Sequence, residues 1–88
     1  MYKTSFIMHN EEGLHARPAT VFCKTAAQFS SDILISKEGE DGKYNAKNII
    51  GVLSLGVSKG ERLFIHAEGD DAKEALMALT HFLRDLKD

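Results

Sequence analysis

Residues Glu61-Arg62-Leu63-Phe64-Ile65-His66-Ala67-Glu68 lead through Gly69-Asp70 into Asp71-Ala72-Lys73-Glu74-Ala75-Leu76-Met77-Ala78-Leu79-Thr80-His81-Phe82-Leu83-Arg84-Asp85-Leu86, and the apolar period changes on the way. Leu63, Ile65 and Ala67 alternate with Arg62, Phe64 and His66, the period of two that a half-buried strand needs. Beyond Gly69, residues Ala72, Ala75, Leu76, Leu79, Phe82, Leu83 and Leu86 recur every three or four positions and form one stripe along a helix. Asp71 and Glu74 have the spacing of a capping box, with Asp where Ser or Thr is commoner. A strand with one wet face, followed by a helix with one dry face, predicts a sheet covered on one side by helices.

Working back toward the N-terminus, Asn48 to Leu55 reads as a short helix closed by Gly56, with Asn48 as its cap. Before it, Asp32 to Lys37 carries Ile33, Leu34 and Ile35 as a strand, Glu38-Gly39-Glu40-Asp41-Gly42 is an acidic turn, and the return strand runs from Lys43 to about Ala46. Ala19, Phe22, Cys23 and Ala26 give a helix from His15 or Ala16 to about Phe29, with Pro18 in the first turn, where its missing N–H costs nothing. Tyr2 to Met8 alternates, placing Tyr2, Thr4, Phe6 and Met8 on one face. The order is βαββαβα, an α+β pattern with a four-stranded sheet under helices.

At 88 residues the chain has room for a single domain, expected to span 1–88, and little material to wall a deep cavity. Chemistry is therefore expected at the surface, which favours a carrier or binding role over a stand-alone enzyme. Eleven Lys and Arg against thirteen Asp and Glu, with no basic run, argue against nucleic acid as partner. Cys23 is the single cysteine and is expected to pack inertly, so neither a disulfide nor a thiolate metal cluster forms within one chain. No signal peptide is visible and the apolar runs are too short to span a bilayer, so no membrane insertion is expected and a cytoplasmic location is the default.

The chemically informative stretch is Gly13-Leu14-His15-Ala16-Arg17-Pro18-Ala19-Thr20. A histidine stands just before a helix that Pro18 obliges to begin there, and an arginine follows two residues later. First-turn N–H groups, the helix dipole and a forked guanidinium converge on one imidazole, giving an anion site whose centre is a nucleophile. An imidazole nitrogen can attack phosphorus, and the resulting dianion would be held by the amides of Ala16 and Arg17 and by the Arg17 side chain.

With this octapeptide, and with Lys47-Asn48-Ile49-Ile50-Gly51-Val52-Leu53-Ser54-Leu55-Gly56, the chain resembles the HPr family, the histidine-containing phosphocarriers of the bacterial phosphoenolpyruvate-dependent sugar phosphotransferase system. The resemblance implies an open-faced β-sandwich with four antiparallel strands and three helices on one side. It implies a phosphocarrier rather than an enzyme, phosphorylated at His15 through Nδ1, with Arg17 stabilising the phosphate. By the same match Enzyme I is the donor, EIIA domains of sugar transporters are the acceptors, and Thr20, Ile49, Ile50 and Leu53 belong to the docking surface. No cofactor is implied, and a monomer is expected.

Two departures stand out. Many Gram-positive members carry a kinase-targeted serine at the start of the second helix, and that position here is Asn48, which keeps a cap but offers no hydroxyl. The alternative reading, a regulatory module of the same fold that binds a catabolite-control transcription factor, is weakened accordingly. The turn between Lys37 and Asn45 is about two residues longer than in the family pattern, a change expected to leave the carrier chemistry untouched. His9, His66 and His81 lack any spacing that would unite them with His15 as metal ligands, and His66 and His81 are expected to face solvent.

Overall fold

The computed structural model describes residues 1–87. The elements are β1 (Tyr2–Ile7), α1 (Ala16–Ala27), β2 (Asp32–Lys37), β3 (Lys43–Asn45), α2 (Ile49–Leu55), β4 (Arg62–Glu68) and α3 (Ala72–Arg84). The expected βαββαβα order is therefore observed, with α1 ending about half a turn earlier than its periodicity suggested. Its last amides fold back instead, Gln28 N donating to Thr25 O and Phe29 N to Ala26 O.

All strands pair antiparallel in one sheet, ordered β1-β4-β2-β3. The register opposes Phe6 to Leu63 and Ile35 to Ile65, and sets Ala67 opposite both Tyr2 and Ile33. Because side-chain direction alternates along a strand, Ile33, Ile35, Leu63, Ile65 and Ala67 all point to one face, where they are buried. Lys3, Ser5, Leu34, Phe64 and His66 fall on the other, which carries no helix.

The three helices close the buried face. α3 lies against β1 and β4, α2 against β2 and β3, and α1 packs on both α2 and α3. Phe22 of α1 is fully enclosed, with its ring centroid 6.5 Å from that of Phe82. A wholly buried apolar side chain of this class is worth about 1.5–3 kcal/mol of transfer free energy, so this contact helps fix how α1 lies against α3.

The expected capping box at α3 does not form. Asp71 makes no side-chain bond to its own helix; its carboxylate instead accepts from Ser30 N, Ser31 N and the Ser31 hydroxyl. Three donors in the preceding α1–β2 connection outcompete one amide in the next turn, because together they satisfy both carboxylate oxygens. These bonds, those from Ser31 and Ser30 foremost, lower the Asp71 pKa from 3.8 to about 2. His66 points to the helix-free face of the sheet, as expected, and is half-buried there. Its pKa is lowered by that burial and by the nearby charges of Lys3 and Lys43. His81 is exposed, as expected, and lies 3.2 Å from Asp85.

Candidate functional site

His15 is the N-cap of α1, with extended backbone (φ −82°, ψ −174°) and no side-chain bond to the first-turn amides. Its carbonyl accepts from Ala19 N at 2.8 Å, which starts the helical ladder, and the residue is half-buried. Pro18 is buried in the first turn, and Ala16 and Arg17 are exposed. An α-helix leaves its first amides without intrahelical acceptors, so an anion at the His15 ring meets donors and the positive end of the dipole together. Arg17 adds a guanidinium on the exposed side of the same turn.

The loop preceding His15 is held from both directions. Asn10 Nδ2 donates to Gly13 O at 2.8 Å, and Leu14 N donates to Val57 O at 2.9 Å. Gly13 adopts φ 63°, and a Cβ there would lie 2.3 Å from Val57 O. Glycine is required twice over, for a left-handed backbone and for a close approach that no side chain permits. Leu14 and Val57, each 3 % exposed, then carry the loop into the core. The segment after α2 is thus the wall against which the His15 loop is built.

A shallow depression joins His15, Ala16 and Arg17 to Val21, Phe82 and Leu86, with Glu12 and Lys87 at its rim. Sequence reasoning assigned Phe82 and Leu86 only to the core stripe of the last helix and passed over Val21. Val21 lies four residues after Arg17, one turn along the same helix face, a spacing that could have flagged it. Phe82 and Leu86 are more than sixty positions from His15 and gave no such signal.

The four positions expected at a docking surface differ in exposure. Ile50 is 67 % and Leu53 42 % exposed, whereas Ile49 is half-buried against the core. Thr20 is exposed, its hydroxyl donating to Ala16 O at 2.9 Å. Val21, 44 % exposed, adds a third apolar side chain to this pair of neighbouring helices. Large apolar side chains left in water on two packed helices mark a surface suited to a partner.

Asn48 caps α2 as expected: its Oδ1 accepts from Ile50 N at 2.9 Å and Gly51 N at 3.4 Å. Gly56 closes the helix at φ 60°. Cys23 is half-buried and donates to Lys47 O at 2.9 Å, so it ties α1 to the entry of α2 in addition to packing. His9 is within hydrogen-bond reach of Leu83 O, 3.1 Å from Nε2. Among the described residues no group of three or more His, Cys, Asp or Glu side chains could hold a metal ion, and no helix is long and apolar enough to cross a membrane.

A family model described as "PTS HPr component phosphorylation site" matches residues 2–85. The multiphosphoryl transfer proteins of Salmonella typhimurium and Escherichia coli O157:H7 are 44 % and 45 % identical over 75 residues, or 84 % of this chain. The chain spans about a fifth of the length of these curated relatives. Among solved structures, HPr-C-His from Thermoanaerobacter tengcongensis superposes with a TM-score of 0.88 at 45 % identity, covering 96 % of this chain and 92 % of that one. The catabolite repression protein Crh of Bacillus subtilis superposes at 0.73 with 41 % identity, covering 85 % and 84 %.

Proposed function

Because this chain belongs to the HPr family of the phosphotransferase system, we propose that it is a phosphocarrier that takes a phosphoryl group from phosphorylated Enzyme I onto His15. It then gives that group to EIIA domains of sugar transporters, working as a monomer in the cytoplasm without a cofactor. The observation that carries this reading is the His15 imidazole, uncommitted to its own helix yet standing at the helix's amide end beside Arg17. In uptake, a bond forms between His15 Nδ1 and phosphorus as the donor's bond to phosphorus breaks, its electron pair leaving with the donor. The amides of Ala16 and Arg17 and the Arg17 guanidinium hold the dianion, so the adduct is stabilised without being enclosed. Transfer to the acceptor reverses these steps. A carrier site has to stay open for this reason, and a depression serves where a pocket would obstruct two different partners.

Thr20, Ile49, Ile50 and Leu53, joined by Val21, form the docking surface in this reading. Partner burial of Ile50 and Leu53 would exclude water around the transferring group. The second reading, a regulatory module in carbon catabolite control that engages a transcription factor, draws support from the likeness to Crh. Asn48 counts against it, since its amide is occupied as a cap and supplies no hydroxyl for a kinase. Incubation with Enzyme I and labelled phosphoenolpyruvate tests the carrier reading. One acid-labile phosphoryl group per chain, lost in His15→Ala, is the expected result, and undiminished labelling of that variant overturns it.

A further inference from the structure

The last residue of β2 carries a cation to the wall behind the His15 loop. Lys37, whose side chain is only 10 % exposed, extends its ammonium to Gly56 O at 3.3 Å, Glu61 Oε1 at 3.3 Å and Glu40 Oε2 at 3.2 Å. Glu40 belongs to the turn itself, three residues beyond Lys37. Glu61 Oε1 also accepts from Ser58 N at 2.8 Å. Gly56 and Ser58 flank Val57, whose carbonyl receives Leu14 N and abuts Gly13. A continuous set of contacts therefore runs from Lys37 through residues 56–58 to the residue before His15.

We propose that Lys37 is a positioning residue for phosphoryl transfer, clamping residues 56–58 so that the His15 loop and the C-terminal end of α2 are held in one fixed relation. Gly56 O lies at the carbonyl end of α2, where a cation complements the dipole, so the same ammonium secures the helix bearing Ile50 and Leu53. The clamp is charged throughout. Burial is the largest influence on Lys37 and works against its charge, but Glu40 and Glu61 together outweigh it and raise its pKa. Hydrogen bonding from Ser58 is the largest influence on Glu61; with Lys37 it prevails over desolvation and lowers that carboxyl. The Lys37 stem is mostly covered while Glu40 and Glu61 keep one side in water, so the contact acts through geometry. One ammonium holds a helix-end carbonyl and two carboxylates at once, and losing it leaves Gly56 O and Glu61 without their shared donor.

This inference rests on the carrier reading for its kinetic arm alone. Lys37→Met removes the charge while keeping a similar stem, and Lys37→Arg restores donors of similar reach. In Lys37→Met, hydrogen exchange at the Leu14 amide should accelerate on the order of tenfold. Single-turnover transfer from phosphorylated Enzyme I to His15 should slow on the order of tenfold, because loosened geometry costs rate even when the chemistry is intact. Lys37→Arg should return both to within about threefold of the parent. Denaturant titration, run alongside, establishes that each variant is fully folded under assay conditions, and Glu61→Gln, which keeps an acceptor for Ser58 N, should shift Leu14 exchange in the same direction if Lys37→Met unfolds. Parental Leu14 exchange in Lys37→Met overturns the proposal, and so does equal loss in Met and Arg variants, which would assign the effect to packing. If the parent accepts no phosphoryl group, the carrier reading fails while the exchange measurement still decides the clamp.

Discussion

Replacing Gly13 by Ala tests how tightly the site is built into the fold. At φ 63° an L-residue pays the left-handed cost of about 1–2 kcal/mol, offset by about 0.4–1 kcal/mol from a less flexible unfolded chain. Gly60, at φ 88° with nothing within 4 Å of a built Cβ, isolates that backbone term, and Gly60→Ala should cost about 1 kcal/mol. At Gly13 the new methyl would stand 2.3 Å from Val57 O and 2.9 Å from Ser58 Cα, both backbone atoms that cannot rotate away. The strands of chain must separate, lengthening the Leu14 N to Val57 O bond and loosening two buried apolar side chains. A disrupted buried hydrogen bond adds about 1–3 kcal/mol, for a total of about 2–4 kcal/mol. For a chain of this size that lowers Tm on the order of 10–25 °C. Urea titration of the two variants and the parent measures the difference directly, and a His15 ring resonance displaced in Gly13→Ala but not in Gly60→Ala would show that the strain reaches the site. Equal destabilisation of the two variants, to within about 0.5 kcal/mol, would refute the steric argument, since the backbone term would then explain everything.

Asp71 gives a pH dependence with a definite sign. Its folded pKa of about 2 lies below its ordinary 3.8, so its stabilisation is fully present above the ordinary value and is lost as pH falls toward 2. Asp71→Asn should flatten the stability profile between those limits in acid denaturation, and an unchanged slope would contradict the Ser30 and Ser31 contacts. Arg17→Ala should leave His15 able to accept a phosphoryl group but slow transfer on the order of tenfold or more, since first-turn amides remain while the forked donor is lost; rapid-quench labelling measures this, and transfer at the parental rate would show that the helix terminus suffices. The parent should stay unlabelled by the family's serine kinase and ATP, whereas Asn48→Ser should gain one phosphoryl group by mass spectrometry; stoichiometric labelling of the parent would restore the regulatory reading.

The elements were legible in the sequence because each is decided within a turn or two of chain. The switch from period two in Leu63-Phe64-Ile65-His66-Ala67 to a helical stripe from Ala72 onward separates β4 from α3, and Pro18 and Asn48 mark two helix starts by chemistry that needs only their neighbours. His15 with Arg17 was legible for the same reason, two groups in one helical turn. Asp71 was misread by that local logic. Its spacing to Glu74 satisfied the capping pattern, but donors forty residues earlier in the chain took its carboxylate.

Sequence alone determined which segments are strands and helices and that a histidine and an arginine share one helix start, because periodicity, capping and charge are properties of adjacent side chains. Only the tertiary structure decided that Val57 O fills the space above Gly13, that Phe82 and Leu86 join His15 in one depression, and that Lys37 reaches behind the site to Gly56 and Glu61. Those contacts join residues far apart along the chain, and their partners are selected by which surfaces the sheet and helices bring together after packing, a choice no local window of residues contains.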